Sequence, residues 1–489
     1  MNVKKFKMQG SYLSENLCCT PSHCLLNKGI TGCGGTTLEL RSNRNSIILC
    51  PTRNLVTSKS NSDYFGVDGD VTKTDIRNYL ETRHTYKKFI ATYDALSKLM
   101  ETIPDYADYF LLIDEYHLLF NDYSFRGDAI QFILKNFTKF KDWCFMTATP
   151  LKDEFILEEL KDVPKIEYEW EQAVPVNIHL KDTYYVQKTL LEYIDTFKDR
   201  NLHIFLNSIS TIYNLTKNID NSIFRVVCSE NSKTKIKNFQ KINTPVKKLN
   251  FYTSCAFEGC DIYDPDGLCI IVCDTNISTT ILDISTKIRQ VCGRLRDSKY
   301  KDQCYLILNT SKHRYAGTTK HEFEQQIQES ETLGKLKHSK LQNITPEEEK
   351  MELRLYNKET YSTLYLNKYH NKIYYDVNLK KMDIYNYNLI SEIYDNTISV
   401  MNECSQQSFT PIIETSVQYE CPSWILENLS KSRYTYQELE IIFTPLFKEH
   451  GLKWNKRTSI KYYFPPFHKK IIQVDKKRET YYIFELCSI

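Results

Sequence analysis

Four of the fourteen glycines in this 489-residue chain, Gly29, Gly32, Gly34 and Gly35, fall within seven residues of the run KGITGCGGTTLEL (28–40). A glycine-rich turn between a short apolar segment, CLLN, and helix-forming TTLEL presents backbone N–H groups suited to cradling phosphate. Against the spacing G-x-x-x-x-G-K-[ST] it supplies Gly29, Gly34, Gly35 and Thr36, with Thr37 next, so glycine stands where a phosphate-reading lysine belongs. That lysine sets a point charge on the terminal phosphates, and Gly35 offers only its amide. Three readings stay open at this point. Lys28, just before the first glycine, or another cation takes over; or nucleotide binds and turns over slowly; or the loop is a structural turn.

Further along, the apolar run LLIDEYH (111–117) carries Asp114 and Glu115 at its end. Adjacent carboxylates at the end of a buried strand are costly unless a cation or a water needs them. Asp114 is expected to hold Mg2+ through its water shell, with the Thr36 hydroxyl as the other candidate metal ligand, and Glu115 to orient or deprotonate the attacking water. The implied cofactors are ATP and Mg2+. Cys18, Cys19, His23 and Cys24 are zinc-capable types, but they lack the paired C-x2-C spacing of zinc sites.

These groups need rigid elements to position them. Nine apolar, β-branched runs read as buried parallel strands: 46–50, 88–93, 109–114, 143–148, 203–207, 224–228, 249–254, 268–273 and 303–308. Helical stretches separate them, which predicts α/β architecture with parallel sheets. The polar, proline-containing stretch EWEQAVPVN marks a boundary, so two tandem α/β domains are expected, 1–174 and 175–312. Residues 313–430 read as a mostly helical connector of unknown role.

Hydrophobic residues at 41% and charged residues at 26% exclude a mainly disordered chain, and the length excludes a small disulfide scaffold. No run approaches the 18 apolar residues of a spanning helix, and the N-terminus lacks a secretory apolar core. A cytoplasmic protein with no membrane partner is expected, its sixteen cysteines reduced. The net charge of +3 does not announce a nucleic-acid binder by itself, but residues 431–489 carry twelve Lys/Arg against six Asp/Glu. There, a Thr435/Glu438 capping box opens a helix that Pro445 should kink and Gly451 should cap. A second basic helical stretch (455–464) and a hairpin around DKKRE follow. The order resembles a winged helix, with Lys456, Arg457 and Lys461 as candidate nucleic-acid contacts.

The runs IILCPTRNL (47–55), IATYDAL (90–96), LLIDEYH (111–117), FMTATP (145–150), TSCAFEGCDI (253–262) and QVCGRLR (290–296) occur in an order and spacing that resemble the superfamily 2 helicases, near their DEAD/DEAH-like groups. The resemblance spans roughly 20–310 and implies two RecA-like domains. It implies that Pro51, Thr52, Arg53 and Thr92 grip a sugar-phosphate backbone, and that Thr147, Ala148 and Thr149 couple the nucleotide site to strand movement. By the same resemblance Thr253 or Ser254 touches the strand, while Gly259 and Asp261 approach the nucleotide from the second domain. Gln290, Gly293, Arg294 and Arg296 match the Q-x-x-G-R-x-R form of motif VI, which is similar to that of viral origin-binding helicases. Its arginines are implied to complete the site across the cleft, where one arginine contributes about 10³–10⁵ in rate.

The function expected is an ATP-dependent helicase or translocase on single-stranded or forked DNA, with RNA as an alternative track and replication proteins as candidate partners. Tyr, Asn, Lys and Ile enrichment suits the AT-rich genome of a phage or mobile element. The competing expectation is a nucleic-acid-binding origin-recognition or scaffold protein with weak or no ATP hydrolysis. A restriction or defence motor ranks third, because no nuclease motif is seen.

Overall fold

The computed structural model describes residues 3–171, 175–236, 238–242, 244–259, 261–310, 318–345, 347–348, 351–352, 364–367, 372–414, 423–431, 433–450, 454, 460, 464, 467–474 and 477–484. Two large parallel sheets dominate. The first is built from β1 (Val3–Met8), β2 (Cys24–Asn27), β3 (Ser46–Cys50), β4 (Phe65–Val67), β5 (Lys88–Thr92), β6 (Phe110–Asp114), β7 (Asp142–Thr147) and β8 (Lys165–Trp170), in the order β1-β8-β2-β7-β6-β3-β5-β4. The second contains β9 (Asn177–Asp182), β10 (Asn201–Phe205), β11 (Phe224–Val227), β12 (Leu249–Tyr252), β13 (Gly267–Cys273) and β14 (Gln303–Leu308). Its order is β11-β12-β10-β13-β14-β9, extended at the β9 edge by one further strand. This is the expected α/β tandem of two parallel sheets, with β8 ending at Trp170 and β9 beginning at Asn177.

All nine sequence-predicted strands form, each within a few residues of its expected ends. Eight of the nine lie inside their sheets, where a strand covered on both faces must be apolar throughout; β11 is an edge strand. Ile47, Leu49, Leu111, Ile113, Ile270 and Ile271 are fully buried, and each such side chain contributes about 1.5–3 kcal/mol. The strands without a continuous apolar run include the edge strand VKKFKM and its neighbour KIEYEW, whose solvated side chains break the pattern.

Within 313–430 the described residues form mainly helices, together with three short strands. Residues Thr410–Ile413 form the extra edge strand beside β9, and Leu364–Asn367 pairs antiparallel with Lys372–Tyr375. The helix Val377–Asn388 packs on the first domain through Leu379, Met382 and Ile384. Leu389, Tyr394, Val400 and Cys404 belong to the second domain's core.

In the tail, the Thr435/Glu438 capping box starts the helix Tyr436–Glu449, and Phe467–Val474 pairs with Lys477–Phe484 as an antiparallel hairpin. The helix runs on through Pro445. The carbonyl that proline leaves without its N–H donor belongs to Ile441, which is exposed, so water can satisfy it. Gly451, Lys456, Arg457 and Lys461 lie outside the described residues. Among the described residues no helix is long and apolar enough to cross a membrane.

Candidate functional site

All the first-domain site residues stand at the C-terminal ends of β2, β3, β5, β6 and β7, which register in parallel so that their exits share one edge. β2 leaves into the glycine loop. Gly29, Gly32 and Gly34 hold φ near +80°, the left-handed region that glycine enters without strain. A Cβ at Gly29 would stand 2.3 Å from the Tyr168 carbonyl oxygen. The loop's entry is pinned by Trp170 Nε1 donating to the Lys28 carbonyl at 2.8 Å and by Asn27 Oδ1 accepting from Gly29 N at 2.9 Å.

Gly35 begins the short helix Gly35–Leu40, and its missing side chain has a spatial reason. A Cβ there would lie 2.6 Å from Met146 Sδ and 3.5 Å from Lys28 Cδ. The space a residue-35 side chain would enter is filled by Met146 and the Lys28 stem. Lys28 itself is buried, and its Nζ lies 3.1 Å from Glu115 Oε1 and 3.4 Å from Asp114 Oδ1. Burial alone would lower its pKa, but the Asp114 and Glu115 charges outweigh that effect and hold the ammonium above its ordinary value. Lys28 thus places an ammonium beside the acidic pair at the end of β6.

The Thr36 hydroxyl donates to Asp114 Oδ2 at 2.6 Å, so the two candidate metal ligands adjoin. Hard oxygen donors beside a second carboxylate suit Mg2+. Thr37 follows in the same helix. Beneath them Tyr93 donates to the Asp114 carbonyl at 2.6 Å, fixing the strand end. Glu115 takes φ +53°, a conformation disfavoured outside glycine that costs of order 1–3 kcal/mol and turns its side chain into the cleft.

Glu115 Oε2 accepts from Thr147 Oγ1 at 2.9 Å, and Thr147 Oγ1 meets His117 Nδ1 at 2.9 Å. Because that hydroxyl donates to Glu115, the imidazole's proton sits on Nδ1. Burial, followed by the Lys28 and Lys287 charges, pushes the His117 pKa down to about 3, so the ring is neutral. His117 was not singled out from sequence. Its signal was its place two residues beyond the acidic pair, which composition alone does not distinguish from core. Thr149 stands 3.4 Å from the same ring nitrogen, and Ala148 is buried between the two threonines.

The second domain closes the cleft. Gln290 Nε2 donates to Glu115 Oε2 at 2.9 Å and to Thr149 Oγ1 at 3.1 Å, while its Oε1 accepts from Arg294 Nη2. Arg296 is paired with Asp261 at 2.6 Å, its Nη1 reaches the Thr31 carbonyl, and its guanidinium lies against Gly32, where a Cβ would meet Nη1 at 2.0 Å. Gly293 abuts Thr31. Arg289, also overlooked in the sequence, donates to the Gly29 carbonyl at 2.9 Å. The contact of Gly259 is with Leu55 of the helix Arg53–Lys59, 2.1 Å from a Cβ built there. Glu258, its neighbour, is buried with Oε1 lacking a partner among the described residues, and burial pushes its pKa up to about 7.

Of the expected nucleic-acid contacts, Thr52 caps the Arg53–Lys59 helix by accepting from Leu55 N, and Thr92 is buried at the end of β5. Arg53 forms exposed pairs with Asp70 and Asp68 at 3.0 and 3.8 Å. Thr253 and Ser254, at the end of β12, line an open cavity of about 680 Å³ together with Ser208, Ser229, Ser232 and Lys235. The zinc-capable residues do not converge: Cys24 Sγ lies 3.8 Å from Cys144 Sγ, and His23 faces Asp142.

No family model and no curated protein matches the sequence. The structure is similar to that of the Mycobacterium smegmatis helicase Lhr bound to ssDNA and AMP-PNP, at 13% identity and TM-score 0.41, covering 62% of this chain and 45% of that one. It is also similar to S. cerevisiae Dbp5 bound to RNA and ADP BeF3, at 12% identity and TM-score 0.39, covering 60% of this chain and 80% of that one. A third likeness is to the ATP-dependent Type ISP restriction-modification enzyme LlaBIII bound to DNA, at 12% identity and TM-score 0.40, covering 83% and 31%. The chain thus spans less than half the length of Lhr and of LlaBIII. None of these likenesses reaches a TM-score of 0.5, so what the site does is argued from its own geometry.

Proposed function

We propose that the chain is an ATP-driven motor that translocates on or unwinds nucleic acid, with DNA as its track. The observation that carries this is Gln290, which reaches from the second domain to Glu115 and Thr149 of the first while holding Arg294. A group that touches the base, the coupling threonine and the guanidinium at once makes hydrolysis depend on closure.

In this reading Lys28 takes the charge role on the terminal phosphates, Glu115 orients or deprotonates the attacking water, and Arg294 and Arg296 spread the developing charge from the opposite wall. Thr36 and Asp114 are the residues that would hold Mg2+, which supplies charge neutralisation on the phosphate oxygens. The 680 Å³ cavity with Thr253, Ser254 and Lys235 is suited to backbone phosphate through hydroxyls and one cation, which gives salt-dependent, largely sequence-independent binding. The basic tail, with its capped helix and hairpin, supports a winged-helix-like grip on duplex at a fork. A phage or mobile-element replication setting in the host cytoplasm, alongside replication proteins, fits the composition.

The test is ATP hydrolysis measured alone, with single-stranded DNA and with RNA of equal length. Stimulation by DNA that disappears in Glu115→Gln supports the motor. A second reading, an origin-recognition or scaffold protein with weak or no hydrolysis, is favoured by Gly35. Nucleic-acid binding by a wild-type chain that does not turn ATP over would select it.

A further inference from the structure

One side chain of the 313–430 segment touches both walls of the cleft. The ring of Tyr385 sits edge-on to Phe120 and Phe155 of the first domain, with centroids 5.3 and 5.1 Å away. Its hydroxyl donates to Asp283 Oδ2 of the second. Both ends are informative. Phe120 lies in the helix His117–Asn121, immediately beyond Glu115. Asp283 accepts from Ser285 N at 2.9 Å and so caps the helical run that carries Gln290.

The helix bearing Tyr385 is anchored firmly at its start. Asp376 accepts from Tyr123 and from Gln131 Nε2 at 2.6 Å, both on the helix Tyr123–Asn136 that follows His117–Asn121. Asn378 accepts from Glu158 N at 3.0 Å and donates to Glu159 at 3.1 Å, and Lys381 donates to the Ile156 carbonyl at 2.6 Å. Beyond Tyr385 the chain is tied to the other wall. Tyr394 donates to the Leu282 carbonyl at 2.7 Å, Thr397 donates to Asp182 at 2.6 Å, and Thr410–Ile413 joins the second sheet.

We propose that this helix is an inter-domain brace and that Tyr385 is a positioning residue, fixing the distance between the Glu115 wall and the Gln290 wall. A helix that only filled space would need apolar contact alone, and a buried donor–acceptor pair ending on the cap of the Gln290 run is not required for that. Removing the hydroxyl leaves Asp283 one donor short and lets the Gln290 run shift, while the ring contacts with the first domain stay.

The inference rests on the ATPase reading, and two readouts separate their failures. Tyr385→Phe keeps the ring and removes the hydroxyl; Tyr385→Ala removes both. Tyr385→Phe is expected to melt within ~4 °C of the wild type, to keep KM for ATP within about twofold, and to lower kcat by about fivefold. Hydrogen exchange is expected to quicken in 284–292 and in the 28–36 loop, and Tyr385→Ala to enlarge both effects. A merely structural residue would lower the melting temperature and leave kcat per folded molecule and exchange at 284–292 where they were, which overturns the proposal. Should Tyr385→Ala fail to fold, Tyr385→Phe decides alone. Should the wild type hydrolyse no ATP, the motor reading falls, and exchange at 284–292 still judges the brace: quickening keeps it and no change overturns it.

Discussion

Replacing Lys28 by Met isolates the charge that the glycine loop draws on. Met keeps most of the stem that lies 3.5 Å from the Cβ position of residue 35, so packing against Gly35 and Met146 is preserved. What disappears is the ammonium 3.1 and 3.4 Å from Glu115 and Asp114, two carboxylates that stay buried without that cation. Breaking a buried ion pair from one side costs about 3–5 kcal/mol. For a domain of this size each kcal/mol is worth ~2–4 °C, so a fall in melting temperature of ~10 °C is expected. The kinetic effect is separate. If the ammonium meets the terminal phosphates, kcat should drop by ~10²–10³, the usual loss for a preorganised electrostatic contact, and Lys28→Arg should recover part of it. Steady-state phosphate release with saturating single-stranded DNA, at a temperature where both proteins are folded, gives the answer. A folded Lys28→Met protein with kcat within twofold of the wild type would refute the substitution of Lys28 for the missing lysine.

Gly35→Lys should lower turnover, because the new side chain meets Met146 Sδ 2.6 Å from its Cβ; with Lys28→Met and Met146→Ala together it should recover activity relative to Lys28→Met, as phosphate-release rates will report. Glu115→Gln should cut kcat by ~10²–10⁴ while fluorescent-nucleotide binding persists. Glu258 has its folded pKa raised from 4.5 to about 7 by burial, so its contribution to stability is complete below 4.5 and is lost as pH rises through 7. The wild-type melting temperature should therefore fall across that window, and Glu258→Gln should flatten that part of the profile in differential scanning fluorimetry. Lys235→Ala should weaken single-strand binding and reduce the slope of log affinity against log salt by about 0.7, measured by fluorescence anisotropy at several salt concentrations.

The legibility of the chain follows burial. β3, β6, β7 and β13 are covered on both faces, so their apolar runs declare them, and their C-terminal ends locate Asp114 and Thr147 without further information. β1 and β8 escaped because each leaves charged side chains in solvent, and Thr410–Ile413 because a proline at a sheet edge reads as loop. The glycine loop was legible as a turn with Lys28 as its candidate cation, but only the third dimension brings the Lys28 stem under Gly35 and its ammonium beside Asp114 and Glu115. Arg289 and Tyr385 were hidden for the same reason, since each acts on residues more than 90 positions away that no local pattern links to it.

The site's most informative feature is that its two walls share one hydrogen-bonded path. From Arg294 the path runs through the Gln290 amide to Glu115 Oε2, on to Thr147 Oγ1 and then to the His117 ring, with Thr149 touching both Gln290 and His117. Every member is buried, so a break exposes no water-filled alternative and leaves a polar group unpaired at about 1–3 kcal/mol. Moving the second domain by the length of one hydrogen bond would break the two contacts from Gln290 together, releasing Glu115 and Thr149 in a single step. Such a path favours two discrete arrangements over a continuum, and two arrangements switched by bound nucleotide are what a stepping motor needs. Gln290→Ala therefore tests the coupling and not the base: Glu115, Lys28 and Thr36 keep their places, so nucleotide should still bind with near wild-type affinity. Stimulation of hydrolysis by single-stranded DNA should disappear. If stimulation survives in Gln290→Ala, the two walls communicate by some other route, and the path through the glutamine is only packing.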